Sequence, residues 1–317
     1  MRRFVRHALA FLAIQSVILA GIAWGCPDDP DHYMAATRDK HARLRATPSP
    51  RLIFVGGSSV GLSIDSRAFA DLELAPVNMG LSSGLGLAFM LGEVAPELRA
   101  GDVVVVAPET ELLWVGSQDD AIWAVLQRRP ASLRCLAAGG PRAVAEVSDQ
   151  GLHFLARKVR CAAHQVTTDS ELPNVYRRSG FDAVGDFVGH RGLPPKHEPV
   201  LDRRWPEPSA VELERSLALL QAFADRCERA GARCFLAWMP LREARLDQDA
   251  ALLERLELRL REEVPLPLLE SPAEMGFSED EFFDRGPHLT EDAAARRSAR
   301  LAARLAARLA TGLAERP

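Results

Sequence analysis

Two short segments of this 317-residue chain carry three residues that could together move an acyl group. Ser58 lies on a glycine turn, Gly56-Gly57-Ser58-Ser59, while Asp284 and His288 share one late loop, Asp284-Arg285-Gly286-Pro287-His288. A serine hydroxyl is a weak nucleophile until an imidazole takes its proton, and the imidazole needs a carboxylate to orient it. Asp284 and His288 are four apart, close enough to meet over one turn, although Gly286-Pro287 between them argues against a regular helix. Ser59 is the fallback nucleophile if the turn is displaced by one residue. The plain structural alternatives are a turn serine capping the next helix and an ion pair anchoring the last one.

Other chemistries find less support. Gly84 and Gly86 do not make a GxGxxG fingerprint and no lysine follows them, which argues against a nucleotide site. No CxxC pair or Cys/His spacing suggests zinc, so no metal or other cofactor is expected. The net charge of −4 and 6% aromatic content supply neither a basic excess for phosphates nor many stacking platforms, so nucleic acid is not expected as a partner. Trp114, Trp123, Trp205 and His190 read as packing residues, with sugar stacking by the tryptophans as the sharper alternative. A chain of this length can bury about three quarters of its unfolded surface and needs no disulfide framework.

The elements that must position the serine and the late loop are legible from apolar runs. LIFVGG (52–57), PVNMG (76–80) and GDVVVVAPE (101–109) are short β-rich runs, each stopped by turn residues, and ARCFLAWMP (232–240) and VPLPLLE (264–270) extend the series to five. Helical spacing recurs over 85–98, 209–230, 247–263 and 291–314. Continuous apolar strands alternating with helices predict a central parallel five-stranded sheet covered on both faces, a three-layer α/β/α domain over 51–317. A helical and irregular insertion interrupts it at about 112–208. Ligands of such sheets sit beyond the carboxyl ends of the strands, where Ser58, Asn78, Gly80 and Glu109 fall. The arginine face of the last helix is expected to be solvated.

The N-terminus has its own pattern. Arg2, Arg3 and Arg6 precede an uncharged run from Ala8 to Gly25, which ends at Cys26. Eighteen residues at about 1.5 Å each span roughly 27 Å, so residues 1–27 read as a signal anchor, with a cleaved signal or lipidation at Cys26 as alternatives. Arginines on the short leading side place the remainder outside the cytoplasm, periplasmic or extracellular, on a single-pass chain. Residues 28–50 read as a polar stalk. Cys135, Cys161, Cys227 and Cys234 would then occupy an oxidising space where pairing is allowed, free buried thiols being the alternative.

The blocks RLIFVGGSSVGLSID, VNMGLSSGLGLAFM, GDVVVVAPE and FFDRGPHLT carry a resemblance to the SGNH (GDSL-like) hydrolase superfamily, closest to its membrane-anchored bacterial branch associated with surface polysaccharides. The resemblance covers roughly 50–112 and 209–310. It implies a flavodoxin-like sheet with Ser58 as nucleophile, backbone amides of Ser58 and Gly80 facing the oxyanion, His288 as base and Asp284 as its orienting partner. Asn78 and Glu109 would be neighbours of that site. The implied activity is a serine esterase or O-acyltransferase acting on acylated carbohydrate of the cell envelope. A non-catalytic module that binds polysaccharide or scaffolds polysaccharide-export machinery is the rival.

Three differences from the superfamily pattern have chemical consequences. Gly57 stands where GDS has Asp, and the late pair is spaced Asp-x-x-x-His. No Asn follows the third strand, where a side-chain donor to the oxyanion is expected; Glu109 and Glu111 stand there instead. A carboxylate facing the oxyanion would oppose it, and losing one donor costs about 2.7–4 kcal/mol of transition-state stabilisation. A donor from Ser82, Ser83 or the insertion would have to replace it.

Overall fold

A computed structural model of the chain describes all residues except 1, 26–28, 116–120, 139–146, 149, 152, 161–174, 197–203 and 315–317, and gives backbone only for 2, 23, 24 and 312–314. Four strands, β1 (Arg51–Val55), β2 (Ala75–Asn78), β3 (Val103–Val106) and β4 (Arg233–Leu236), form one parallel sheet in the order β2-β1-β3-β4. β1 and β3 are buried along their whole length. That requires cover on both faces and explains why their sequences show no polar alternation.

Successive strand residues feed two separate cores. Ile53, Val55, Val77, Val104, Val106 and Leu236 face one side. There they meet α4 (Leu87–Val94), α7 (Ala210–Ala230) and α8 (Glu243–Glu263), whose Leu91, Leu217, Leu220, Leu253 and Leu256 are buried. Leu52, Phe54, Val103, Val105 and Phe235 face the other side with α9 (Glu291–Ala314), which supplies Leu301, Leu305 and Leu309 at four-residue intervals. Burying each such side chain contributes about 1.5–3 kcal/mol, so both faces are held by the same term.

Several expectations are corrected. The segment VPLPLLE makes no full fifth strand. It reaches β4 only through a Leu236–Leu268 bridge, with Leu236 N–H donating to Pro267 O and Leu269 N–H to Leu236 O. Pro265 and Pro267 lack the N–H groups a ladder needs. A separate pair of two-residue strands, β5 (Leu241–Arg242) and β6 (Gly276–Phe277), lies outside the main sheet.

The expected stalk is also not a free spacer. Residues 33–46 form a 3-10 turn and helix α2 (Ala36–Ala46), with Ala35, Ala36, Thr37, Lys40, His41 and Leu44 buried on the domain. Their low hydropathy hides the packing, because buried Lys40 and His41 are satisfied by polar partners. Lys40 Nζ donates to Asn78 O (3.0 Å) and Gly185 O (2.6 Å), and His41 Nε2 lies 2.8 Å from Glu93 Oε1.

The insertion is likewise joined to the core. α5 (Ala121–Arg128) and α6 (Leu133–Ala138) bury Ile122, Val125, Cys135 and Leu136 in the first core, as does Trp114, which meets Trp205 edge to face. On α9, Arg297 departs from the expected solvated face. It is fully buried and donates to Ser63 O (3.1 Å) and Trp238 O (2.8 Å), tying the helix to the segments after β1 and β4.

Cys135, Cys227 and Cys234 are buried free thiols, while Cys26 and Cys161 lie outside the described residues. A 24-residue helix, α1 (Arg2–Gly25), precedes the domain, and its stretch Arg3–Ile22 is long and apolar enough to cross a membrane.

Candidate active site

The strand order reverses between β1 and β3, and Ser58 follows β1 directly at that switch point. The turn Gly56-Gly57 leads into the short helix α3 (Ser58–Ser63). From there Ser58 Oγ lies 2.9 Å from His288 Nε2, and His288 Nδ1 lies 2.8 Å from Asp284 Oδ1. Because the carboxylate can only accept, Nδ1 carries the proton and Nε2 is left to accept from the serine hydroxyl. Ser59 points elsewhere: its side chain is buried and its Oγ meets no hydrogen-bond partner among the described residues.

The late loop works without a helix. Gly286 N–H donates to Asp284 Oδ1 (2.9 Å), turning the chain so that His288 folds back over Gly286. A Cβ there would stand 2.6 Å from the imidazole. The spacing of four residues therefore succeeds because of the glycine between them. The loop is clamped from four sides. Arg242 Nη2 donates to Asp284 O (2.7 Å), Lys196 N–H to Phe283 O (2.6 Å) and buried His190 Nε2 to Leu289 O (3.0 Å). Ser63 Oγ donates to Pro287 O (3.0 Å) and accepts from Leu289 N–H (2.9 Å), so α3 carries Ser58 at one end and holds the histidine loop at the other.

Burial works against ionisation of Asp284. The hydrogen bond and charge of His288, joined by Tyr176 and Gly286 N–H, outweigh it and hold the carboxyl down at about 2. Tyr176 was not singled out by the sequence reading. Its phenol donates to Asp284 Oδ2 and its ring stacks on Phe187, 5.7 Å between centroids. Hydrogen bonds to charged groups are worth about 1.5–3 kcal/mol. Tyr176→Phe is therefore expected to lower kcat for an acyl ester by about tenfold or more with little change in KM. A change in KM alone would show that Tyr176 contacts substrate rather than holding Asp284.

No known family model, curated protein or solved structure matches this chain.

Two of the differences noted in the sequence are one structural feature. Glu109, just past β3, does not face the space above Ser58. It turns under the glycine turn and accepts from Gly57 N–H (Oε2, 3.1 Å) and Ser59 N–H (Oε1, 3.0 Å). A Cβ at Gly57 would lie 2.4 Å from both of its oxygens, so a residue with a side chain at 57 and Glu109 in this pose exclude each other. Glu111 is half-buried, and the desolvation of its carboxyl pushes its pKa up.

The role expected of Gly80 is not matched by its geometry. Its N–H is donated to Asn78 Oδ1 (2.9 Å), and a Cβ would come within 2.4 Å of Gly61 N and 2.7 Å of Val60 Cβ. The glycine is needed so that β2 and α3 can approach. Asn78 is buried and also donates to Val60 O (3.0 Å) and Asp186 Oδ1 (2.8 Å), a supporting role beneath the site. The Ser58 N–H, at the start of α3, meets no acceptor among the described residues.

Ser58 and His288 open into a pocket of about 350 Å³ lined also by Asp29, His32, Tyr33, Met34, Leu81, Ser82, Tyr176 and Arg177. The chain has only two tyrosines, and both are here. That scarcity was the one sequence signal that could have drawn attention to them. Tyr33 donates to Leu81 O (2.8 Å), and burial, reinforced by Glu109 and Asp284, raises its pKa so that it stays a neutral donor. Ser82 Oγ accepts from Gly84 N–H (3.2 Å), which leaves its hydroxyl hydrogen to be directed into the pocket. Among the described residues no group of three or more His, Cys, Asp or Glu could hold a metal ion.

Proposed function

We propose that this chain is a membrane-anchored, extracytoplasmic serine esterase or O-acyltransferase of SGNH type, acting on acylated envelope glycans. The observation that carries this reading is the continuous relay from Ser58 Oγ through His288 to an ionised Asp284 at the mouth of a pocket. Ser58 attacks the ester carbonyl while its proton passes to His288 Nε2. The ester C–O bond then breaks, and the alcohol leaves with that proton. Water or a sugar hydroxyl attacks the acyl-serine in the reverse sense, giving its proton to His288 and restoring Ser58. The Ser58 N–H and the Ser82 hydroxyl are the donors available for the oxyanion, in place of Gly80 and the missing Asn. Three leading arginines against an otherwise acidic chain support an outward-facing domain.

One observation favours the non-catalytic rival, a module that binds polysaccharide or scaffolds export machinery: the amides of Gly57, Ser59 and Gly80 are all engaged within the chain. The two readings part on a covalent probe. A soluble fluorophosphonate is expected to label the purified full chain at a single serine, with mass spectrometry placing the adduct on Ser58. Retained glycan binding with no adduct would favour the rival.

A further inference from the structure

The pocket is built in part from the segment that immediately follows the apolar helix. Asp29, His32, Tyr33 and Met34 line it together with Ser58 and His288, whereas α1 ends at Gly25. Four peptide steps separate Gly25 from Asp29. At 3.8 Å per step they bridge at most about 15 Å, whatever path they take.

The segment is held to the domain from Asp31 onward. Tyr33 is hydrogen-bonded to Leu81 and its ring meets those of Phe181 and Phe187 at 5.0 and 5.7 Å. Asp31 accepts from Ser179 N–H (2.7 Å) and Ser179 Oγ (2.8 Å), and Ala35 and Ala36 are buried. Phe4, Leu9, Phe11, Leu12, Ile14 and Val17 of α1 are each more than half exposed, an apolar surface that none of the described residues covers and that has the length of a hydrocarbon core.

We infer that the site works on a substrate that is itself held in the membrane, an amphiphile whose reacting ester or hydroxyl enters a pocket whose Asp29 edge lies within about 15 Å of the end of α1, while its lipid stays in the bilayer. This rests on the acyl-transfer reading above and names the substrate class of that same site. A tether serving only soluble polymers would gain from reach. This one confines the pocket to the layer just above the headgroups, where the effective concentration of a lipid-borne group is high and that of a remote polymer is not. The lining suits such a headgroup, with Met34 and Leu81 beside His32, Arg177 and Ser82.

The test uses the full chain in vesicles of phosphatidylethanolamine and phosphatidylglycerol, with a soluble fluorophosphonate and one fixed to a lipid headgroup by a tether of about 10 Å, shorter than the chain link. A second form of the chain carries a 20-residue helical spacer between Gly25 and Asp29, lifting the domain by roughly 30 Å. Both probes are expected to label Ser58 in the natural chain. The spacer form should keep its rate with the soluble probe, which also reports its fold, and lose at least tenfold with the lipid probe. Equal lipid-probe rates in both forms, or labelling of the natural chain by the soluble probe alone, would overturn the inference and leave the catalytic reading intact. If the soluble probe fails on the natural chain, the catalytic reading falls and this inference with it.

Discussion

Asp284→Asn is expected to lower kcat for a simple acyl ester by about 10³–10⁴-fold while leaving the fold intact at neutral pH. An amide at 284 can turn its NH₂ toward His288, which favours the tautomer with the proton on Nε2, pointing at Ser58 instead of accepting from it. It also removes the negative charge that stabilises the imidazolium formed during attack. Tyr176 would still donate to the remaining oxygen and hold the side chain, while Gly286 N–H, which shares with His288 the position the NH₂ takes, loses its acceptor. Steady-state kinetics on a p-nitrophenyl ester decide this, and an unimpaired variant would remove Asp284 from the mechanism.

The same carboxyl gives a signature in acid. Its pKa falls from an ordinary 3.8 to about 2 in the folded chain, so the folded state holds fewer protons than the unfolded state between those values. The stability it contributes is complete above about pH 4 and is lost as the pH falls through about 2. Discounted for partial solvent access, that contribution is about 1–2 kcal/mol. Urea midpoints of the natural chain should therefore drop between pH 4 and pH 2 by more than those of Asp284→Asn.

Glu109→Ala is expected to destabilise the domain by about 2–4 kcal/mol and to slow fluorophosphonate labelling of Ser58 by about tenfold or more. The cost arises because the buried Gly57 and Ser59 amides flank Ser58 and share one acceptor, so removing it leaves two unpaired donors at once. Glu109→Gln should cost less, because one oxygen can still accept while the new NH₂ faces a donor. Gly57→Ala attacks the same contact from the other side, since its Cβ would overlap the carboxylate. The two alanine substitutions should be less damaging together than the sum of their separate effects, as expected of residues sharing one space. Denaturant melts of the four forms measure this. Strict additivity would mean that Glu109 does not organise the turn.

Legibility in the sequence followed the range of the interaction. β1 and β3 were readable because each apolar run reports burial on both faces of its own strand, and the edge strands β2 and β4, half-buried where they begin, because their shorter apolar runs are bounded by glycine or proline. α7 and α9 were readable because leucines at three- and four-residue spacing report one buried face. The same reasoning failed at VPLPLLE, where apolar content suggested a strand but two prolines removed the donors that would have paired it. It failed at 33–46, where a polar composition concealed a buried lysine and histidine whose partners lie elsewhere in the chain. At the site, residue type was enough to select Ser58, Asp284 and His288. The Asp-x-x-x-His spacing became intelligible only once Gly286 was seen beneath the imidazole.

What the amino-acid sequence determined by itself is therefore local: an apolar helix at the N-terminus, four strands of a covered parallel sheet, and a serine, an aspartate and a histidine at places where strands and helices begin or end. Side-chain pattern follows from burial of the element that carries it, and turn chemistry from glycine and proline within a few residues. Only the tertiary structure decided that His288 meets a serine 230 residues away, that Glu109 turns under the Gly57-Ser58-Ser59 turn, that Gly80 serves close packing, and that Tyr176 and the segment behind the apolar helix complete the pocket. Those outcomes depend on single directional contacts between distant segments, which leave no period and no composition for a sequence to display.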